Sequence, residues 1–240
     1  MTTKAVLTGH SRGLGEAIAK ALRKHGIATL TIARKLPDPA VADAHALDLS
    51  DQAALIAWLH AGHLQHFLAD ARSAVLINNA GTVQPMGLAD GLAPEGIAQA
   101  INLNVSAPLM LASAFLAATS QLPNRRILHV SSGAARTAYA GWSVYCAGKA
   151  ALDHHARTLA SESLPGVRIC SLAPGIIDTD MQREIRATHE GVFPLRPRFD
   201  ALHANGALAS PGTVADDLLA YLLDARFGEE PVADLRTLAR

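Results

Sequence analysis

Three residues of this chain have types and spacing that could carry a proton onto a carbonyl oxygen. Tyr145 and Lys149 stand four positions apart in Ser143-Val144-Tyr145-Cys146-Ala147-Gly148-Lys149, and Ser132 precedes the tyrosine by thirteen positions, just after the apolar run Ile127-Leu128-His129-Val130. Residues four apart on a helix share one face, so the phenol and the ammonium would project into the same space. A phenol has an ordinary pKa of about 10 and is a poor acid at neutral pH. A nearby ammonium favours the phenolate. Lowering the pKa by about 3 requires roughly 4 kcal/mol of differential stabilisation, hence a close cation in a partly desolvated place. A serine hydroxyl at the end of a neighbouring strand would donate to the same substrate oxygen. Taken alone, Tyr-x-x-x-Lys is more simply a surface helix with incidental side chains; the rest of the chain argues otherwise.

The elements that must position these groups start at the N-terminus. Ala5-Val6-Leu7-Thr8 reads as a strand, Gly9-His10-Ser11-Arg12-Gly13-Leu14-Gly15 as a glycine-rich turn, and the residues around Ile18, Ala19 and Leu22 as a helix. In that order they form an anion site, because free backbone N–H groups and the helix dipole face the turn, and glycines let a pyrophosphate approach the backbone. Strands are expected near 4–8, 28–33, 45–48, 74–78, 126–131, 167–173 and 231–235. Helices are expected at 13–25, 50–69, 94–118, 143–163 and 213–225, with Gly26 closing the first and Ser50 capping the second. Alternating strands and helices imply a parallel sheet covered on both faces. No repeat or linker divides the chain, so 1–240 is expected to be one domain. The segment 175–212, with Pro194, Pro197 and Pro211 and with Arg196 and Arg198, is expected to be a loop serving as a substrate lid, since it follows a strand C-terminus, where ligands bind.

Composition sets further bounds. Half of the 240 residues are hydrophobic, and 21 Lys+Arg balance 21 Asp+Glu, which argues against a nucleic-acid footprint. No uninterrupted apolar stretch reaches the length of a bilayer span, and Met1-Thr2-Thr3-Lys4 is not a basic-then-apolar leader; a cytoplasmic protein without membrane contact is expected. Cys146 and Cys170 have no disulfide or metal spacing. His60, His63 and His66 recur at three-residue intervals, but Gly62 interrupts them and nothing completes a tetrahedral set. They are read as a solvated helix face, and no metal is expected.

The motifs Thr8-Gly9-x-x-x-Gly13-x-Gly15, Asp48-Leu49, Asn78-Asn79-Ala80-Gly81, Asn104, Ser132, Tyr145-x-x-x-Lys149 and Pro174-Gly175 together resemble the short-chain dehydrogenase/reductase family over essentially the whole chain. Within it, Gly141–Ala151 and Asp178-Thr179-Asp180-Met181-Gln182 look like sepiapterin reductases and the related bacterial benzil-type diketone reductases. The resemblance implies a doubly wound, Rossmann-like α/β domain with a seven-stranded parallel sheet in the order 3-2-1-4-5-6-7. It implies Tyr145 as proton donor and Lys149 as the group that lowers its pKa and binds the nicotinamide ribose. Ser132 would hold the carbonyl, and Asn104 would kink its helix and hold a water. Asn102 competes with Asn104 from sequence alone; the following Val105-Ser106-Ala107 fits the family pattern better from Asn104. A homodimer or homotetramer is implied too.

For the cofactor, the second strand ends Thr31-Ile32-Ala33-Arg34-Lys35, without the carboxylate that takes the ribose hydroxyls of NAD. Arg34 and Arg12 suit a 2′-phosphate, so NADPH is expected. By resemblance, Gly9, Ser11, Gly13, Leu14 and Gly15 would cradle the phosphates, Asp48 and Leu49 the adenine, and Asn79, Ala80 and Gly81 the ribose. Pro174, Gly175, Ile177 and Thr179 would hold the carboxamide. Trp142 is either a wall of the substrate pocket or a core tryptophan. Asp234 matches a pterin-anchoring aspartate on an ungapped alignment from Phe227. Asp153, His154 and His155 are read as surface or subunit interface. The expected activity is reduction of a small carbonyl compound, with a vicinal dicarbonyl preferred. The rivals are a silent NADP-binding sensor on the same fold and an NAD-dependent alcohol dehydrogenase.

Overall fold

Val6 and Leu7 have no solvent exposure, as a strand with helices on both faces requires. They lie in β1 (Thr3–Thr8), an interior strand of a computed structural model that describes residues 2–36 and 43–238. The remaining strands are β2 (Ala28–Ala33), β3 (Ala44–Ala46), β4 (Ser73–Asn78), β5 (Arg125–Val130), β6 (Val167–Ala173) and β7 (Val232–Asp234). They pair in the expected order 3-2-1-4-5-6-7, and every ladder is parallel.

One face of the sheet is covered by α1 (Gly13–Lys24) and α9 (Pro211–Leu223), through Ile18 and Leu22 against Leu218 and Leu222. The other carries α2 (Gln52–His60), α3 (His63–Leu68), α4 (Pro94–Ile101), α5 (Ala107–Ala118) and α6 (Ser143–Ser161), with Leu55, Trp58, Leu111, Phe115 and Leu159 in its core. Helix α1 closes at Gly26 (φ +66°), where Ile27 N donates to Leu22 O, a glycine-dependent C-terminal turn.

Several expectations need correction. The helix expected at 50–69 is two helices, because Gly62 adopts φ +78° between α2 and α3. Its cap is Asp51, whose carboxylate accepts from Ala54 N at 3.0 Å, while Ser50 donates to Asp48 instead. The third strand is only Ala44–Ala46. The segment 175–212 is no loop: it contains α7 (Asp180–Ala187) and α8 (Arg196–Ala204). Phe193, fully buried, and Phe199 pin it against Trp142. Helices α4 and α5 are joined through a π-helical turn at Asn102–Ser106. Against the expectation of no spanning stretch, the continuous helix Pro94–Ala118 is long and apolar enough by length and composition; its Leu111, Ala112 and Phe115 are buried in the core.

Candidate active site

The direction of winding reverses between β1 and β4, and crevices of doubly wound sheets open at that reversal, beyond the strand C-termini. A cavity of about 950 Å3 lies there. Gly9, Ser11, Arg12, Leu14 and Gly15 follow β1, Arg34 and Lys35 follow β2, Asp48 and Leu49 follow β3, and Asn79, Ala80 and Gly81 follow β4 along its wall. Ser132 lines it after β5, Tyr145 and Lys149 from α6, and Pro174, Gly175, Ile177 and Thr179 after β6.

The turn after β1 is fastened to β4 by its side chains. Thr8 Oγ1 accepts from Asn79 N and Ala80 N at 3.0 Å each, and Asn79 Nδ2 donates to Thr8 O (3.0 Å) and Gly9 O (3.1 Å). Gly9 has φ +73°, and a Cβ there would meet Ala80 Cα at 2.8 Å; one on Gly15 would run into Gly9 O. The cradle therefore exposes backbone where a phosphate needs it. Gly13 stands just outside the cavity wall, at the start of α1 with φ +56°, facing the Thr179 methyl at a distance that leaves a Cβ only 3.2 Å. Arg34 and Lys35 line the cavity beyond β2, and Arg12 lies 3.5 Å from Asp180. Burial opposes ionisation of Asp48, but hydrogen bonds from Ser50 and the charge of Arg34 outweigh it and hold the carboxyl below its usual range. A glycine cradle at a helix N-terminus with cations beside it fits a dinucleotide phosphate backbone. Residues 9–15, Arg34 and 79–81 are those able to hold it.

In the other half, Tyr145 and Lys149 are both buried on one face of α6. Lys149 Nζ donates to Val130 O at 2.7 Å and lies 5.8 Å from the centre of the Tyr145 ring. Burial pushes the phenol up to about 12, with hydrogen bonding from Ser132 opposing and Cys146 reinforcing. Burial pushes Lys149 down to about 8, and Asp153 pulls it back up. Burial of the phenol here outweighs the lowering expected from the lysine. The ammonium bonds to a strand carbonyl beneath the ring, while desolvation penalises the phenolate directly.

Ser132 is extended (φ −158°), and its Oγ accepts from Ala134 N at 3.1 Å, opening the short 3-10 turn Gly133–Ala135. Asn104, 1% exposed, lies behind the cavity wall in the π-helical turn; its Nδ2 donates to Thr82 O and its Oδ1 accepts from Thr82 N, both at 2.9 Å. Asn102, its competitor, reaches Gln52 and Ser50 instead. Asp153 is not on the surface, as sequence suggested. It is 2% exposed, and its Oδ1 accepts from Ser131 Oγ and Ser171 Oγ at 2.7 Å each. Arg136 Nε approaches Oδ2 at 3.4 Å. Spacing of four from Lys149 was the available signal for its inward orientation.

At the substrate end, Trp142 is wall and core at once: it lines the cavity and stacks on Phe193 with centroids 4.8 Å apart. Tyr139, Ile185, Phe199, Leu202, Arg198 and Arg236 complete the wall; of these only Arg198 was noted from sequence, as part of the expected lid. Asp234, expected to anchor substrate, lies outside the cavity lining and is paired with Arg236 Nη2 at 2.6 Å. The turn after β7 brings Arg236, two residues on, to the wall in its place. No cluster of three or more His, Cys, Asp or Glu suited to a metal occurs among the described residues.

Fold and cavity together define a dinucleotide-binding oxidoreductase architecture with Ser132, Tyr145 and Lys149 converging on one space. Comparison agrees: the family model for short chain dehydrogenases matches residues 3–190, and this chain belongs to that family. Benzil reductase ((S)-benzoin forming) from Bacillus cereus is 35% identical over 228 residues, covering 88% of this chain and 90% of that protein. Sepiapterin reductase from Mus musculus is 35% identical over 239 residues, covering 90% of each. Among solved structures, a short-chain dehydrogenase/reductase from Burkholderia vietnamiensis is 42% identical, with 99% of both chains covered and a TM-score of 0.71. The KRED1-Pglu enzyme is 29% identical, with 97% and 100% covered and a TM-score of 0.82. Family membership implies a nicotinamide dinucleotide as cofactor.

Proposed function

We propose that the protein is an NADPH-dependent carbonyl reductase acting on ketones, with vicinal dicarbonyls favoured. The observation that carries this reading is the convergence of Ser132, Tyr145 and Lys149 on one aromatic-walled cavity whose lining also includes Arg12, Arg34 and Lys35. When bound, the cofactor supplies a hydride to the carbonyl carbon. Ser132 hydrogen-bonds the carbonyl oxygen, and Tyr145, protonated throughout the neutral range at a pKa of about 12, delivers the proton to it. Lys149 adds positive charge beneath the phenol as it loses that proton. Asn104 holds the Gly81–Thr82 backbone in place beside them.

Preference for NADPH over NADH rests on Arg34 standing where a ribose-binding carboxylate would otherwise be, assisted by Arg12 and Lys35. The dicarbonyl preference rests on likeness to the benzil and sepiapterin reductases and on the Trp142–Phe193 wall, an apolar surface suited to a flat ring. The test is NADPH consumption against mono- and dicarbonyls, benzil included. Tyr145→Phe is expected to lose activity about 100-fold or more while NADPH affinity is retained. Arg34→Asp is expected to weaken NADPH and improve NADH. Full-speed reduction by Tyr145→Phe defeats the catalytic assignment; unchanged cofactor preference in Arg34→Asp defeats the choice of NADPH.

A further inference from the structure

Within the carbonyl-reductase reading, on which this step rests, we infer that the substrate is anionic: an aryl keto acid whose carboxylate is taken by Arg198 at the mouth of the cavity. Six cations line this cavity against two carboxylates, Asp48 and Asp180, and most have an account. Arg34 and Lys35 follow β2 on the wall that also carries Asp48, and Arg12 is 3.5 Å from Asp180. Lys149 lies beneath Tyr145, and Arg236 is neutralised by Asp234.

Arg198 is left over. The acids nearest it in the chain, Glu190 and Asp200, are both engaged by Arg196, at 3.0 and 3.1 Å. Arg198 itself has no ion pair among the described residues; its guanidinium lies 5.5 Å from the centre of the Tyr139 ring. A guanidinium held over an aromatic face is oriented, and its fork matches a carboxylate in two parallel hydrogen bonds.

The rings between the two ends set the shape of the substrate. Tyr139 meets Trp142 at 5.8 Å, edge to face, and Trp142 meets Tyr145 at 5.2 Å. Contacts run from Arg198 through Tyr139 and Trp142 to Tyr145, which suits an acid group several bonds from the carbonyl. A ring or an equivalent apolar spacer, packed on Trp142, would bridge that gap.

The experiment compares kcat/KM of the full-length protein with NADPH for 4-acetylbenzoate, 4-oxo-4-phenylbutanoate and phenylglyoxylate, each against its methyl ester, and for benzil. The two longer acids are expected to exceed their esters about fivefold or more, chiefly through KM and less so at high salt, as fits a charge pair at a wet mouth. Arg198→Gln is expected to remove that advantage, lowering kcat/KM for the acids about fivefold more than for their esters, and Arg198→Lys to restore part of it. Acids no better than esters in the wild type overturn the inference, and so does an Arg198→Gln variant that slows acids and esters alike, which would make Arg198 a prop for Tyr139. A protein that binds NADPH yet reduces neither acids, esters nor benzil sinks the reductase reading itself; one that reduces only the neutral compounds sinks the anion assignment alone.

Discussion

Protonation of Tyr145 and Lys149 is governed by the same cause acting on opposite charges. Burial penalises the phenolate and so raises the tyrosine to about 12; it penalises the ammonium and so lowers the lysine to about 8. For reduction the active pair is a neutral phenol over a charged lysine, and both forms coexist below pH 8. As pH rises through about 8 the protonated fraction of Lys149 falls, while Tyr145 keeps its proton until much higher. Reduction, read as kcat/KM with NADPH, is therefore expected to hold steady from pH 6 to 7.5 and then decline along a limb centred near 8. Lys149→Arg, charged at every accessible pH, is expected to abolish that limb whatever it does to the absolute rate. A wild-type profile flat to pH 10, or an unchanged limb in the arginine variant, would show that another group titrates there.

Two elements hold this pair in place through buried polar side chains, and each can be broken separately. The π-helical turn Asn102–Ser106 turns Asn104 inward, where its amide meets both backbone groups of Thr82. Asn104→Ala orphans a donor and an acceptor behind the cavity wall, an expected loss of about 1–3 kcal/mol. Because Gly81 lines the cavity next door, NADPH affinity is expected to fall with stability; urea unfolding and a cofactor titration check both. On α6, Asp153 ties Ser131, just past β5, and Ser171, within β6, to the helix of Tyr145. Asp153→Ala is expected to cost at least about 2 kcal/mol, since two buried hydroxyls lose their acceptor, and Asp153→Asn, which keeps one carbonyl acceptor, less. Equal unfolding midpoints for wild type and Asp153→Ala would remove this tie from the account. Such elements also mark the limit of what was legible in sequence. The glycine turn and the Ser132–Tyr145–Lys149 set were readable because each depends on local backbone rules or fixed helical spacing, whereas the strand order followed only from the family resemblance. The helices inside 175–212 were hidden by prolines that sit where they do no harm: Pro197 in the first turn of α8 and Pro211 at the start of α9, positions whose N–H needs no helical partner. Asp153 was misplaced at the surface, Arg198 was noted only as part of a lid, and Tyr139 was missed, because their partners come from segments far away in the chain.

Across the whole molecule, net charge is formally zero, so the pH dependence of folding rests on particular buried groups rather than on general repulsion. The clearest is His129, fully buried on β5. Asn78 Nδ2 lies 3.1 Å from its Nδ1, which must therefore accept, and its Nε2 lies 3.0 Å from His155 Nδ1, to which it donates. Both bonds are met only by the neutral ring. Burial, with the charges of His155 and Lys149 adding to it, pushes His129 down to about 3. The sign follows from proton counts. Between the ordinary histidine value of about 6.5 and about 3, the unfolded chain binds a proton that the folded protein refuses, so stability falls as pH falls. At about 1.4 kcal/mol for each pH step below the ordinary value, acidification from pH 7.5 to pH 5 is expected to remove roughly 2 kcal/mol through this residue. His129→Leu is expected to be less stable than wild type at pH 7.5, because Asn78 and His155 each lose a partner. Its further loss on going to pH 5 is expected to be smaller by about those 2 kcal/mol. Urea unfolding of both proteins at the two pH values measures the difference, and parallel losses in wild type and variant would assign the acid sensitivity to other groups.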